Sequence, residues 1–154
     1  MTFDTKKIAR RFIEEVWNTG NVGLIDELVD PAYEGHDPVV GNYKKEGLKQ
    51  AIQSYRNAFP DLKLEVVNQV ADERYVVTRW IARGTHLGTF MGLEPTKKTA
   101  VVSGLDLGEV RDGKICSDFN EYDALGLLRQ LGAPEKFTGE VPFTPTTTRP
   151  EKRT

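Results

Sequence analysis

The hydrophobic period of this chain changes once, at Pro60. Before it, apolar residues recur at the three-to-four spacing of helices; after it they alternate, as in strands with one buried face. Ile8, Phe12, Ile13, Val16 and Trp17 make one helical stripe, with Asp4 or Thr5 as its cap and Gly20 as its stop. Leu24, Ile25, Leu28 and Val29 make a second, capped by Asn21 and closed by Pro31. Leu48, Ala51, Ile52, Tyr55 and Phe59 make a third over about 45–59. Between the last two, "YEGHDPVVGNY" crowds Gly, His, Asp and Pro together and is expected to be irregular. Alternating stretches follow at 62–71, 75–86, 99–110 and 115–122. "RDGK" between the last two reads as a hairpin turn, because Asp-Gly supplies the positive backbone angles such a turn needs. Asp123 caps a last short helix, "ALGLLRQL", that ends at Gly132.

Helices first and hairpin-joined strands later imply an α+β fold. The expected architecture is a curved antiparallel sheet wrapped around the N-terminal helices, a cone with one internal pocket, over residues 1–132. Residues 133–154 are rich in Pro and Thr without periodicity and read as an extended or disordered tail. The length, 154 residues, fits one domain. A formal net charge of −2 with interspersed signs gives no basic stripe, so no nucleic-acid partner is expected. No apolar run approaches membrane-spanning length and the N-terminus lacks a signal-peptide core, so no membrane partner and a cytoplasmic location are expected. Cys116 is the sole cysteine, which excludes an intramolecular disulfide. His36 and His86 lack metal-ligand spacing, and no metal is expected. No nucleotide or flavin motif is found.

Strand parity sorts the later residues into faces. Val102, Gly104, Asp106 and Gly108 share a face of one strand, and Cys116, Asp118, Asn120 and Tyr122 a face of the next. Ile115, Ser117, Phe119 and Glu121 take the opposite side, as do Leu105, Leu107 and Glu109. On parity alone either set serves as the core face. Trp80 shares a face with Thr78 and Ala82, whereas Arg79 and Arg83 face the other way and are expected to pair with Glu109 or Glu121. His86 is expected in a turn or at the surface.

The stretches "WNTGNVGLIDELVDPAYEGHDP", "AFPDL", "RWIARGTHLGTFMGLEPT" and "VRDGKI…EYDALGLLRQLG" together resemble the SnoaL-like polyketide cyclase (ester cyclase) family, over roughly Ile8 to Gly132. That family belongs to the nuclear-transport-factor-like superfamily of cone-shaped α+β domains. The resemblance implies that Asp106, Asp118 and Asn120 face the pocket, with Asp118 at a family histidine position and Asn120 at that of the catalytic aspartate. Asn120 cannot accept a proton at neutral pH, so the family mechanism does not carry over intact. The resemblance also implies a pocket position for His36, no cofactor, and a homodimer or larger homo-oligomer built on the outer sheet face, where Leu105, Leu107 and Phe119 need cover. Trp17, Tyr33, Tyr55, Trp80 and Tyr122 are the candidate walls for a small hydrophobic or flat aromatic ligand. Two carboxyls side by side in a cavity cannot both ionise freely, which yields one base and one proton-holding donor. Asp118 is the first candidate for the base.

The expected function is acid/base chemistry on a small hydrophobic carbonyl or polyketide-like compound, such as aldol-type ring closure. An epoxide hydrolase or isomerase, or a binding protein that has lost catalysis at Asn120, are the alternatives.

Overall fold

Asp4 opens the first helix by accepting the backbone N–H of Lys7 at 3.0 Å. In the computed structural model, which describes residues 3–135, α1 (Thr5–Arg11) passes directly into a π-helical segment, Phe12–Trp17. The wider turn is closed by the Asn18 N–H donating to the Ile13 carbonyl at 3.0 Å. The second stripe is realised as a 3₁₀ turn, Val22–Leu24, and a short α2 (Ile25–Leu28). Two details differ from expectation. The Asn21 side chain makes no capping hydrogen bond, and Pro31 ends no helix but lies inside β1 (Val29–Asp37). Pro31 is tolerated because the β1 ladder is irregular between Val29 and Glu34, where a missing N–H costs little.

The segment expected to be irregular is a hairpin. β1 pairs antiparallel with β2 (Gly41–Lys44), from Glu34 opposite Lys44 to Asp37 opposite Gly41. Asp37 closes its turn: Oδ1 accepts the N–H groups of Val39 and Val40 at 2.8 and 2.9 Å. α3 (Lys45–Ala58) follows and buries Leu48, Ala51 and Ile52. The later strands are β3 (Lys63–Ala71), β4 (Tyr75–Thr85), β5 (Thr99–Arg111) and β6 (Lys114–Tyr122). The β5–β6 turn has φ of 49° at Asp112 and 76° at Gly113, as the Asp-Gly pair predicts. α4 (Ala124–Leu131) is capped by Asp123, which accepts the Gly126 N–H at 2.8 Å, and ends at Gly132 with φ 75°.

The strands form one curved, unclosed sheet in the order β2-β1-β6-β5-β4-β3. The α+β cone stands, but the sheet is not wholly antiparallel: β1 and β6 run parallel. The connection between them contains α3 and four other strands, so no hairpin dictates their direction. Two apolar clusters fill the body. One joins Phe12, Val16, Ile25, Leu48 and Ile52 to Tyr33 and Ile115; the other joins Ile13, Phe59, Trp80, Val102 and Leu131. Trp17 packs against both. No described helix is long and apolar enough to cross a membrane.

A bulge corrects the parity on β6. Glu109 pairs with Ser117, but Val110 pairs with Ile115, so Cys116 is the extra residue. Ile115 therefore turns inward, 4% exposed, and the Cys116 thiol instead donates to the Glu109 carbonyl. Glu109 makes ion pairs with Arg74 and Arg111, not with Arg79 or Arg83. Its cross-strand partner is Tyr75, which brings the neighbouring Arg74 beside it and leaves Arg79 opposite Leu105. His86 is fully buried, against the expected turn or surface place. Its Nδ1 accepts the Thr96 N–H at 3.2 Å, and burial lowers its pKa. The expected tail lies, from residue 136 onward, outside the described residues.

Candidate functional site

On β5, the inward residues Gly104, Asp106 and Gly108 set one carboxyl between two glycines. Their β6 partners are Tyr122, Asn120 and Asp118 respectively. β1 extends the same face: Gly35 pairs with Asp118, and Asp37, two residues on, comes beside Asn120. A polar row therefore crosses four strands, from Thr78 through Asp106 and Asn120 to Asp37. Asp118 stands in the adjacent row with a glycine on either side.

The glycines leave room that larger side chains use. A Cβ at Gly104 would lie 2.4 Å from the Trp80 ring, and one at Gly35 would lie 2.3 Å from the Tyr33 hydroxyl. Trp80 thus leans across Gly104 towards Tyr122, with ring centroids 6.0 Å apart. The Tyr33 ring, 1% exposed, reaches under Gly35 towards Asp118.

Asp106 and Asp118 are diagonal neighbours on the same face of β5 and β6, close enough for their charges to interact. Burial and then the Asp118 charge hold the Asp106 carboxyl well above the usual carboxylate range. Burial also raises Asp118, but the neighbouring Asp106 carboxyl and Tyr33 hydroxyl favour its anion and oppose that rise. Burial and like charge keep the two from ionising together, so the pair holds a proton above the usual carboxylate range. Each carboxyl keeps one buried oxygen with no donor, as does the Asn120 side-chain carbonyl. Asp37 is 6% exposed; burial raises its pKa, against the pull of the two turn N–H groups.

Above this polar floor is a cavity of about 100 Å³. A single water needs on the order of 10–15 Å³ on the same measure, so the space admits a ring-sized compound. Its walls include Trp17, Tyr55, Phe59, Trp80, Tyr122 and Leu127. The Tyr55 and Tyr122 hydroxyls share a hydrogen bond of 2.5 Å, and the Trp17 and Tyr55 rings meet edge to face at 5.9 Å. Among the described residues, no group of three or more His, Cys, Asp or Glu is placed to hold a metal ion.

The structure brings together Asp106, Asp118, Asn120, Trp17, Tyr55, Trp80 and Tyr122 around this cavity. Tyr33 lies beneath the floor rather than on the wall. His36 is on the other face of the sheet. It stacks on Phe119 at 4.3 Å, its Nδ1 bonds Asn42 Oδ1 at 2.8 Å, and its Nε2 lies 3.6 Å from Glu121. The cause is strand parity: His36 is the register partner of outward Phe119, so the inward place falls to Asp37. Asp37 and Tyr43 line the cavity without having been anticipated. The alternation Tyr33, Gly35, Asp37 held the signal for Asp37, once that stretch is read as a strand.

A family model described as SnoaL-like polyketide cyclase matches residues 7–131. Aklanonic acid methyl ester cyclase DauD of Streptomyces sp. (strain C5) is 26% identical over 133 residues, covering 82% of this chain and 81% of that protein. Among solved structures, IdmH from Streptomyces antibioticus superposes with a TM-score of 0.75 at 28% identity, over 85% of this chain and all of that one. TsrD from Streptomyces laurentii does so with a TM-score of 0.76 at 27% identity, over 86% of this chain and 99% of that one.

Proposed function

The chain belongs to the SnoaL-like polyketide cyclase family, and from that premise we propose that it closes a ring in a small polyketide-like carbonyl compound by acid/base chemistry. The observation that carries this reading is the adjacent carboxyl pair Asp106–Asp118 beside Asn120 on the cavity floor. The Asp118 carboxylate takes a proton from the carbon next to a carbonyl. The Asp106 carboxylic acid and the Asn120 amide donate hydrogen bonds to the enolate oxygen that forms. The enolate carbon then bonds to a second carbonyl carbon of the same molecule. The oxygen of that carbonyl takes up the proton that Asp118 removed, so the ring closes with no net loss of atoms. The aromatic walls suit a flat, conjugated body.

The division of labour moves the base from the family position, now Asn120, to its neighbour Asp118. A matched assay decides it, with aklanonic acid methyl ester, named for the relative, as the first compound tried. Asp118→Asn is expected to lower turnover roughly 10²–10⁴-fold, the usual loss for a general base, with melting temperature unchanged. Asn120→Asp restores the family acid and is expected to raise turnover. Wild-type rates in both Asp118→Asn and Asp106→Asn would sink the proposal. Asn120 itself favours a second reading, a binding protein without catalysis. That reading gains if flat ligands bind but none is turned over, even by Asn120→Asp.

A further inference from the structure

Asp37 is left over by the acid/base reading. It is the third carboxyl of the floor, nine-tenths buried, and only one of its oxygens is used in its turn. Around it are the rings of Tyr43, Tyr55 and Tyr122, all of whose phenols are raised in part by the Asp37 charge. Trp17 and Trp80 complete the aromatic wall. Among the described lining residues, Arg83 is the one that is basic, and it is exposed at an outward position of β4. Among the described residues, the cavity thus gathers carboxyls and electron-rich ring faces with no inward-facing basic side chain. A buried carboxylate without a counter-charge is costly, and aromatic faces attract positive charge.

We propose that the cavity recognises an organic cation, a ligand with a flat apolar body and a protonated amine that seats against Asp37 among the tyrosine and tryptophan rings. The ammonium donates to the second Asp37 oxygen, and the body fills the wall between Trp80 and Phe59. A carboxylate at the same end of a ligand is repelled by Asp37 and Asp118. The inference stands apart from the cyclisation reading, because seating a cation requires no reaction. Binding and turnover can therefore fail separately.

Isothermal titration of the full chain with three matched probes tests it: 2-(2-naphthyl)ethylamine, the corresponding alcohol, and 3-(2-naphthyl)propionate. The amine is expected to bind at least about tenfold more tightly than the alcohol, in line with a desolvated charge and ring contact, and the acid more weakly than either. Asp37→Asn keeps an acceptor for the Val39 and Val40 N–H groups while removing the charge. It is expected to bring the amine down to the affinity of the alcohol and leave the alcohol unchanged. Equal affinity for amine and alcohol in the wild-type chain overturns the proposal. So does an amine preference that survives Asp37→Asn, or no amine binding at millimolar concentration. Should Asp37→Asn fail to fold, the wild-type ranking alone decides.

Discussion

At Asp106, burial and the Asp118 charge favour the protonated carboxyl, so the folded chain holds a proton that the unfolded chain releases at an ordinary pKa of about 4. Between that value and the raised folded value, the native state binds more protons than the unfolded one. Stability from this group is therefore fully present below about pH 4 and is lost as pH rises through the folded pKa. Asp106→Asn removes the titration while keeping the size of the side chain. In thermal unfolding followed from pH 4 to pH 8, the melting temperature of Asp106→Asn is expected to gain steadily on that of the wild type. A difference that stays flat with pH would mean that Asp106 does not hold its proton in the fold. The alternation of "SGLDLGEV" put Asp106 on one face with Gly104 and Gly108 but left open which way that face looks; the family resemblance pointed it inward, where it lies beside Asn120 and near Asp118. The parity of the Ile115–Tyr122 strand was legible only from Asp118 onward, because the bulge at Cys116 leaves no mark in residue type.

The elements of the second half were legible because each strand alternates over many residues and an Asp-Gly turn fixes the β5–β6 register. β1 and β2 were not. β1 is broken by Pro31 and a register shift, β2 has only four residues, and the Asp37–Pro38 pair reads as loop chemistry. That loss hid Asp37 and left no parity to set against the pocket place that the family resemblance implied for His36, since a strand assigned as loop has no faces to sort. At the level of one strand contact, Gly104 is where β5 yields space to β4. Gly104→Ala places a methyl 2.4 Å from the Trp80 ring and 2.8 Å from the Glu121 carbonyl oxygen. The ring must move or the strands must part. Overpacking of this kind typically costs ~1–3 kcal/mol. At roughly 2–4 °C per kcal/mol for a chain of this size, the melting temperature is expected to fall by several degrees. Trp80 fluorescence is expected to shift as well. An unchanged melting temperature would show that Trp80 does not rest on Gly104.

For the whole molecule, the outer face of β5 and β6 carries an apolar patch among the described residues. Leu105 is 51% exposed, Leu107 44% and Phe119 41%, and they are neighbours across β5 and β6. We propose that a second copy of the chain covers them, giving a homodimer. Light scattering at micromolar concentration is expected to return twice the chain mass for the wild type and the monomer mass for Leu107→Glu. A monomeric wild type would refute it. The parallel seam between β1 and β6 has a consequence for how such a molecule comes together. β3 to β6 are joined in sequence order, each pairing with the next strand of the chain. The seam instead joins residue 35 to residue 118, the kind of distant closure whose entropy must be lost before any contact repays it. Two of the three floor carboxyls, Asp106 and Asp118, belong with Asn120 to the local meander; Asp37 arrives only when the seam zips. In folding, then, the chain acquires its proton-sharing pair first and its third acid last, and a fluctuation that unzips β1 divides the floor while the meander stays whole.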